Sequence, residues 1–191
     1  MIDTFSLDSL VKMVRQWALI DGDRYDAEFG RSDGFDIDNL IKMWIRQWYA
    51  DALENAPVEL FPASEIDAPA SIDMKTPWMA KIKLPDNFRR LVAFRMASWR
   101  MPPVILSADN PAHLRRWQRQ ASPYARAGAS SPVVLVSPRD RTLYAVPVGA
   151  SDKVALCSAV LSPGPDGPFS FSHSLLNSLS SYVKYLNISG A

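Results

Sequence analysis

The apolar residues of this chain change their spacing once, and the change falls across a run of prolines. Up to residue 54 they recur at helical spacing, and from residue 80 they alternate as in a strand. Between the two patterns stand Pro57, Pro62, Pro69 and Pro77 among Ala, Ser and acids. Proline fixes φ and donates no backbone hydrogen bond, so this stretch resists both a helix interior and a central strand. The chain therefore reads as α+β: an N-terminal helical pair, an antiparallel β-sheet with an inserted basic helix, and a C-terminal helix. Three segments follow: a helical region 1–54, a Pro-rich arm or linker 55–77, and an α+β region 78–191 that forms one compact unit with 1–54.

The helical pair carries nearly the same phrase twice, LVKMVRQW at 10–17 and LIKMWIRQW at 40–48. Aligning the RQW triplets sets Leu10 on Ile41, Val14 on Ile45 and Trp17 on Trp48, all on the apolar face. Aligning the LxKM phrases instead needs a one-residue gap, which rotates the remainder by ~100° about the helix. What recurs is a packing face. The first helix is expected over 6–20, with Ser6 as N-cap, Asp8 in its first turn and a stripe of Leu7, Leu10, Val11, Val14, Trp17 and Ala18. The second is expected over 37–54, capped by Asp36, with Asp38 in its first turn and Ile37, Leu40, Ile41, Trp44, Ile45, Trp48 and Ala52 inward. The acidic loop between them does not spell an EF-hand. Counting from Asp21, the Gly and Glu that such a loop needs are replaced by Asp26 and Ser32.

Past the prolines, Ala80, Ile82 and Leu84 alternate with Lys81 and Lys83, the mark of a half-buried strand. Pro85-Asp86-Asn87 turns the chain into LVAFRMASW, a second strand. PVVLV, TLYAVPV and KVALCSAVL read as three more, joined by Pro-Arg-Asp-Arg and Gly-Ala-Ser-Asp as hairpin turns. A helix is expected over 111–121, with Asn110 as cap and Pro111 at its first position. After GPDGP, a last helix from Ser172 to about Asn187 carries Leu175, Leu176, Leu179, Tyr182, Val183 and Leu186 on one side.

No constellation of catalytic residues emerges. The sequence contains no HExxH, GxSxG, Walker A or GxGxxG pattern, and its two histidines, His113 and His173, read as surface or structural residues. Cys157 alternates with Val154, Leu156 and Ala159 and reads as a buried, inert thiol; alone, it can form no intrachain disulfide. Catalytic, metal and cofactor-binding residues are accordingly expected to be none. MIDTFSLDSL lacks a basic region followed by an apolar run, and no stretch reaches the ~18–20 apolar residues of a membrane span. A soluble protein folding in a reducing cytoplasm, with no membrane partner, is the expectation. Lys and Arg total 21 against 20 Asp and Glu, so the whole chain projects no strong field.

One charged feature stands out. HLRRWQRQASPYAR gathers Arg115, Arg116, Arg119 and Arg126 around Trp117 and Tyr124, the mixture that phosphate and base contact requires. The plainer reading is a solvated helix face with Leu114 and Trp117 turned inward, and a surface for a partner protein is a third.

The order of elements resembles that of the small head-to-tail adaptor, or neck ring, proteins of tailed bacteriophages. The second helix opens Asp-Asn-Leu-Ile at 38–41, and KIKLPDNFRRLVAFRMASWRMPPV at 81–104 is similar to the strand, Leu-Pro-Asp-Asp-Phe, strand, Trp segment in adaptors of crAss-like phages and related Bacteroidales prophages. Tyr124, Pro132-Val133-Val134 and Leu143-Tyr144 follow in matching order, whereas 163–191 has no counterpart in that pattern. The resemblance implies a non-enzymatic virion protein: a homo-oligomeric ring at the neck, assembled in the host cytoplasm. Its partners would be the portal and other tail or neck proteins, with DNA passing non-specifically through the lumen. Leu60, Phe61 and Ile66 are then candidate oligomer contacts. Arg115, Arg116, Arg119, Arg126, Trp117 and Tyr124 are candidates to face DNA or a neighbouring subunit. The alternative is a small nucleic-acid-binding accessory protein using the 113–126 segment.

Overall fold

The computed structural model describes residues 1–20, 37–66, 70–72, 76–165 and 167–189. The acidic loop and the Asp36 cap lie outside these residues, as do the side chains of Ala18, Ile37 and Leu186. The fold is α+β. Its contacts divide it into two units, Met1–Pro62 with Ser162–Ala191, and Ala63–Leu161. The second unit is thus an insertion within the first.

The first unit holds β1 (Ile2–Phe5), α1 (Leu7–Ile20), α2 (Ile37–Asn55), a 3-10 turn (Val58–Leu60), β10 (Phe169–Ser172) and α4 (Ser174–Ser189). Ser6 caps α1, its Oγ accepting from the Ser9 amide at 3.1 Å. Lys42 meets Asp8, and Arg15 meets Asp38 at 2.7 Å, so α1 and α2 run antiparallel. These exposed pairs fix register more than they add stability, each being worth up to about 1 kcal/mol. The repeated face is indeed the packing face: Leu10, Val14, Ile41, Ile45 and Trp48 are buried, with Trp17 half-buried. Tyr49 and Leu53 widen the α2 stripe beyond its expected members.

Two short strands that carry no sequence signal hold this unit together. β1 and β10 pair antiparallel from Ile2–Ser172 to Phe5–Phe169. Phe171, fully buried, lies 4.9 Å from the Phe5 ring, 5.3 Å edge-on from Trp48 and 5.9 Å from Tyr49. Trp48 donates its indole N–H to Ser178 Oγ at 2.9 Å, and Tyr49 its hydroxyl to the Ser170 carbonyl at 3.1 Å. The polar tips of the aromatic cluster are thereby satisfied as their rings are buried. Residues 169–183, which the family pattern left without a place, complete the core of the N-terminal helices.

The second unit contains a three-stranded sheet ordered β2–β9–β5 (Ser64–Glu65, Val154–Leu161, Phe88–Met96). It also contains a five-stranded sheet ordered β3–β4–β8–β7–β6 (Ala70–Ile72, Ala80–Lys83, Thr142–Val146, Val133–Ser137, Val104–Ser107). The sequence led us to expect one antiparallel sheet. The strands are instead shared between two sheets in this unit, and Val104–Ser107, which did not stand out, runs parallel to β7. A parallel pair needs a crossover, and α3 (Pro111–Gln118) supplies it. The Pro-Arg-Asp-Arg turn closes a true hairpin between β7 and β8, whereas Gly-Ala-Ser-Asp links strands in different sheets. Ile82, Val134, Val136, Leu143 and Ala145 share one core with Phe94, Met96, Cys157 and Ala159 from the other sheet and with Trp99 in the turn after β5. The residues one step out of phase, Val133 and Leu135, pack with Leu106 under α3. The Pro-rich stretch contributes only edge strands, β2 and β3, as proline requires.

Removing Phe171 should leave a cavity where three aromatic rings now meet. Phe171→Ala is expected to cost about 3–5 kcal/mol in urea-induced unfolding. Burial pushes the Tyr49 phenol up to about 12, against an ordinary value near ~10. Its contribution to stability is therefore full below about pH 10 and lost as pH rises toward about 12. Tyr49→Phe should flatten that alkaline loss in melts followed across the same range.

Candidate interaction surface

The basic segment begins with a tightly specified helix start. Asn110 Oδ1 accepts from the amides of Ala112 (2.9 Å) and His113 (3.4 Å), and Pro111 occupies the first position, where a missing N–H costs nothing. His113 is not a free surface residue: its Nδ1 accepts from the Ser107 amide at 3.1 Å. The helix ends at Gln118 and tightens into a 3-10 turn over Arg119–Ala121. Leu114 and Trp117 face inward onto Leu106, Val133 and Leu135, with the Trp117 ring 6.1 Å from Tyr144.

A step of ~100° per residue places Arg115, Arg119 and Arg116 together on the arc opposite Leu114 and Trp117. All three arginines are exposed, and none meets a carboxylate among the described residues. Tyr124 beyond them is fully exposed. The other two expected contact residues have structural work. Trp117 is half-buried in the small core beneath the helix. Arg126 turns back, its guanidinium 4.0 Å over the Trp78 ring and its Nε donating to the Gln120 carbonyl at 3.2 Å. Arg126 is thus a stacked anchor, because the aromatic face and the carbonyl hold its charge against the protein.

Gln120 organises this turn and gave no sequence signal. Buried, it accepts from the Ala127 amide at 2.7 Å and directs its own amide toward the Arg116 carbonyl. Lys81, on the same face of the sheet, sits 6.0 Å from the Tyr144 ring. His173 lies 3.5 Å from Asp3 on the surface, and the Cys157 thiol is pushed up to about 11 by burial. Among the described residues no His, Cys, Asp and Glu cluster could hold a metal ion, and no helix is long and apolar enough to cross a membrane.

Of the expected oligomer contacts, Phe61 is a correction. It is 3% exposed, with Tyr49 edge-on at 6.1 Å, so its surface is already spent inside the first unit. Ile66 packs against the sheet core of the second unit, and Leu60 is half-buried in the 3-10 turn.

The outer edge of β6 is partly blocked against strand addition. Val104 and Ala108 donate inward to Pro132 and Val136, and parallel alternation leaves the amides of Ile105 and Ser107 facing out. Ser107 is covered by His113, and Pro102 and Pro103 have no amide to offer. Such devices are how natural sheets prevent edge-to-edge pairing.

The division into units also changes the electrostatic picture. Residues 63–161 hold fourteen Lys and Arg against seven Asp and Glu, a net of +7. The remaining residues hold seven against thirteen, a net of −6, and the two nets give the whole chain's +1. The near-neutral total conceals two oppositely charged units. No protein-family model matches the chain, and no curated protein does.

Arg126→Ala should lower stability by about 1 kcal/mol, since it removes a stacked cation and a hydrogen bond together. Arg115→Ala and Arg119→Ala should each stay within about 0.5 kcal/mol of the wild type. Urea titrations of the three variants separate anchor from surface.

Proposed function

We propose that this chain is a structural, non-enzymatic subunit of a phage neck: a head-to-tail adaptor that forms a homo-oligomeric ring between portal and tail. The observation that carries the reading is the separation of charge between its two units, −6 and +7. The acidic unit of one copy attracts the basic unit of another, and a heterologous contact that closes on itself generates a ring. The likeness of residues 38–41 and 81–104 to phage adaptors points the same way. The portal and neighbouring tail proteins are its proposed partners, and the virion neck its proposed place.

A second reading draws on the net charge of the inserted unit, which favours a nucleic-acid-binding accessory protein. Under the ring reading, contact with DNA is limited to phosphates, with dissociation constants of about 10⁻⁴–10⁻⁶ M and a steep loss as salt rises.

Self-association should be weak in isolation and should strengthen as salt is lowered. Sedimentation velocity across a salt series, with negative-stain images of the low-salt sample, tests this. Closed rings at low salt that dissociate near about 1 M, where the screening length is ~3 Å, are the expected result. A salt-insensitive two-fold dimer as the sole species would sink the reading.

A further inference from the structure

We infer that the outward arginine face of α3 is a docking surface, and that its occupant is the acidic end of α2 in a second copy of this chain. The inference rests on the ring reading and assigns its contact.

One side of the contact is Arg115, Arg116 and Arg119, three exposed guanidiniums without a carboxylate partner among the described residues. The other is the stretch from Asp51 to Glu59. Asp51 and Glu54 lie exposed in the last turns of α2, and Glu59 is exposed in the 3-10 turn that follows. The last turn of α2 contains no basic residue. Carboxylates at a helix C-terminus stand against the negative end of the macrodipole, so this end is acidic twice over and is relieved by an external cation. Arginine forks suit carboxylates in pairs, which gives such a contact geometry as well as charge.

A protein fits this surface better than a nucleic acid. Beside α3, the edge strand β6 leaves Val104 exposed on the face that the helix covers, with Met101 just before the strand, while Ile105 is exposed on the opposite face. Apolar side chains, Met and Arg together are the composition of a protein–protein patch, whereas phosphate contacts leave the apolar part in water. The partly blocked β6 edge, with Ser107 covered by His113 and Pro102-Pro103 before it, favours a contact made by side chains over an added strand.

Charge reversal in the full-length protein provides the test. Arg115→Glu/Arg119→Glu makes both surfaces acidic, and Asp51→Lys/Glu54→Lys makes both basic. Neither variant alone should self-associate, with affinity at least tenfold below wild type at low salt in sedimentation velocity. Their equimolar mixture should recover association, because each reversed surface now meets its complement on the other variant. Thermal melts of each variant, at or near the wild-type midpoint, ensure that lost association is not lost folding. The Lys variant also complements the α2 dipole and should fold at least as well.

If either variant alone still forms rings like the wild type, this contact is wrong while the ring reading stands. If the mixture does not recover association, the two surfaces are not partners, and the inference is again overturned. A wild type that stays monomeric at high concentration and low salt removes the ring reading, and this contact with it. Labelled single- and double-stranded oligonucleotides supply the last arm by fluorescence anisotropy. Nanomolar binding at physiological salt, lost in Arg115→Glu/Arg119→Glu, would assign the face to nucleic acid and overturn the inference.

Discussion

The first unit of this protein depends on Phe171. Its ring, fully buried, touches Phe5 from the first strand and Trp48 and Tyr49 from the second helix. Removing a group of this size from water contributes roughly 1.5–3 kcal/mol. The strand that bears it pairs with residues 2–5, at the opposite end of the chain. The β1–β10 ladder and the aromatic cluster are one device: the ladder aligns the rings, and the rings bury the ladder. Without it, α1 and α2 would keep matching apolar stripes but lack the surface that both must cover.

That dependence explains which parts of the fold could be read from the sequence. Where periodicity ran over many residues, the reading held. Helices expected over 6–20 and 37–54 are found at Leu7–Ile20 and Ile37–Asn55, and the Ala80–Leu84 alternation is buried and exposed in turn. The Ser6 and Asn110 caps are occupied as expected. β1 and β10 have only four residues each, too few for a period-two pattern to stand out from chance, and their partners are remote. β6 was hidden by Pro102-Pro103 before it, because those prolines mark an edge as readily as a loop. Its parallel pairing was equally hidden, since parallel register leaves no hairpin turn to read.

The candidate surface was partly legible for a similar reason. Arg115, Arg116 and Arg119 stand out in any reading of composition, and helical geometry settles where they point. Arg126 has the same chemistry, yet its role depends on Trp78, which lies across the sequence. Net charge misled because the insertion splits acids from bases along a boundary that composition cannot see. The relevant quantity is charge per folded unit, and the two units differ by thirteen charges.

The nesting of one unit inside the other also sets an order of events during synthesis. Everything the second unit needs, from Ala63 to Leu161, leaves the ribosome as one continuous stretch. The first unit must wait, because Phe169, Phe171, Leu175, Leu176, Leu179 and Val183 emerge last. At bacterial or eukaryotic elongation rates of ~5–20 residues per second, the helices α1 and α2 spend several seconds without their cover while the basic unit can already close. A prematurely terminated chain would thus present a folded basic unit joined to an unfinished acidic one. Only a chain translated through its final helix holds both units folded, so any property that needs the two together waits for the end of synthesis.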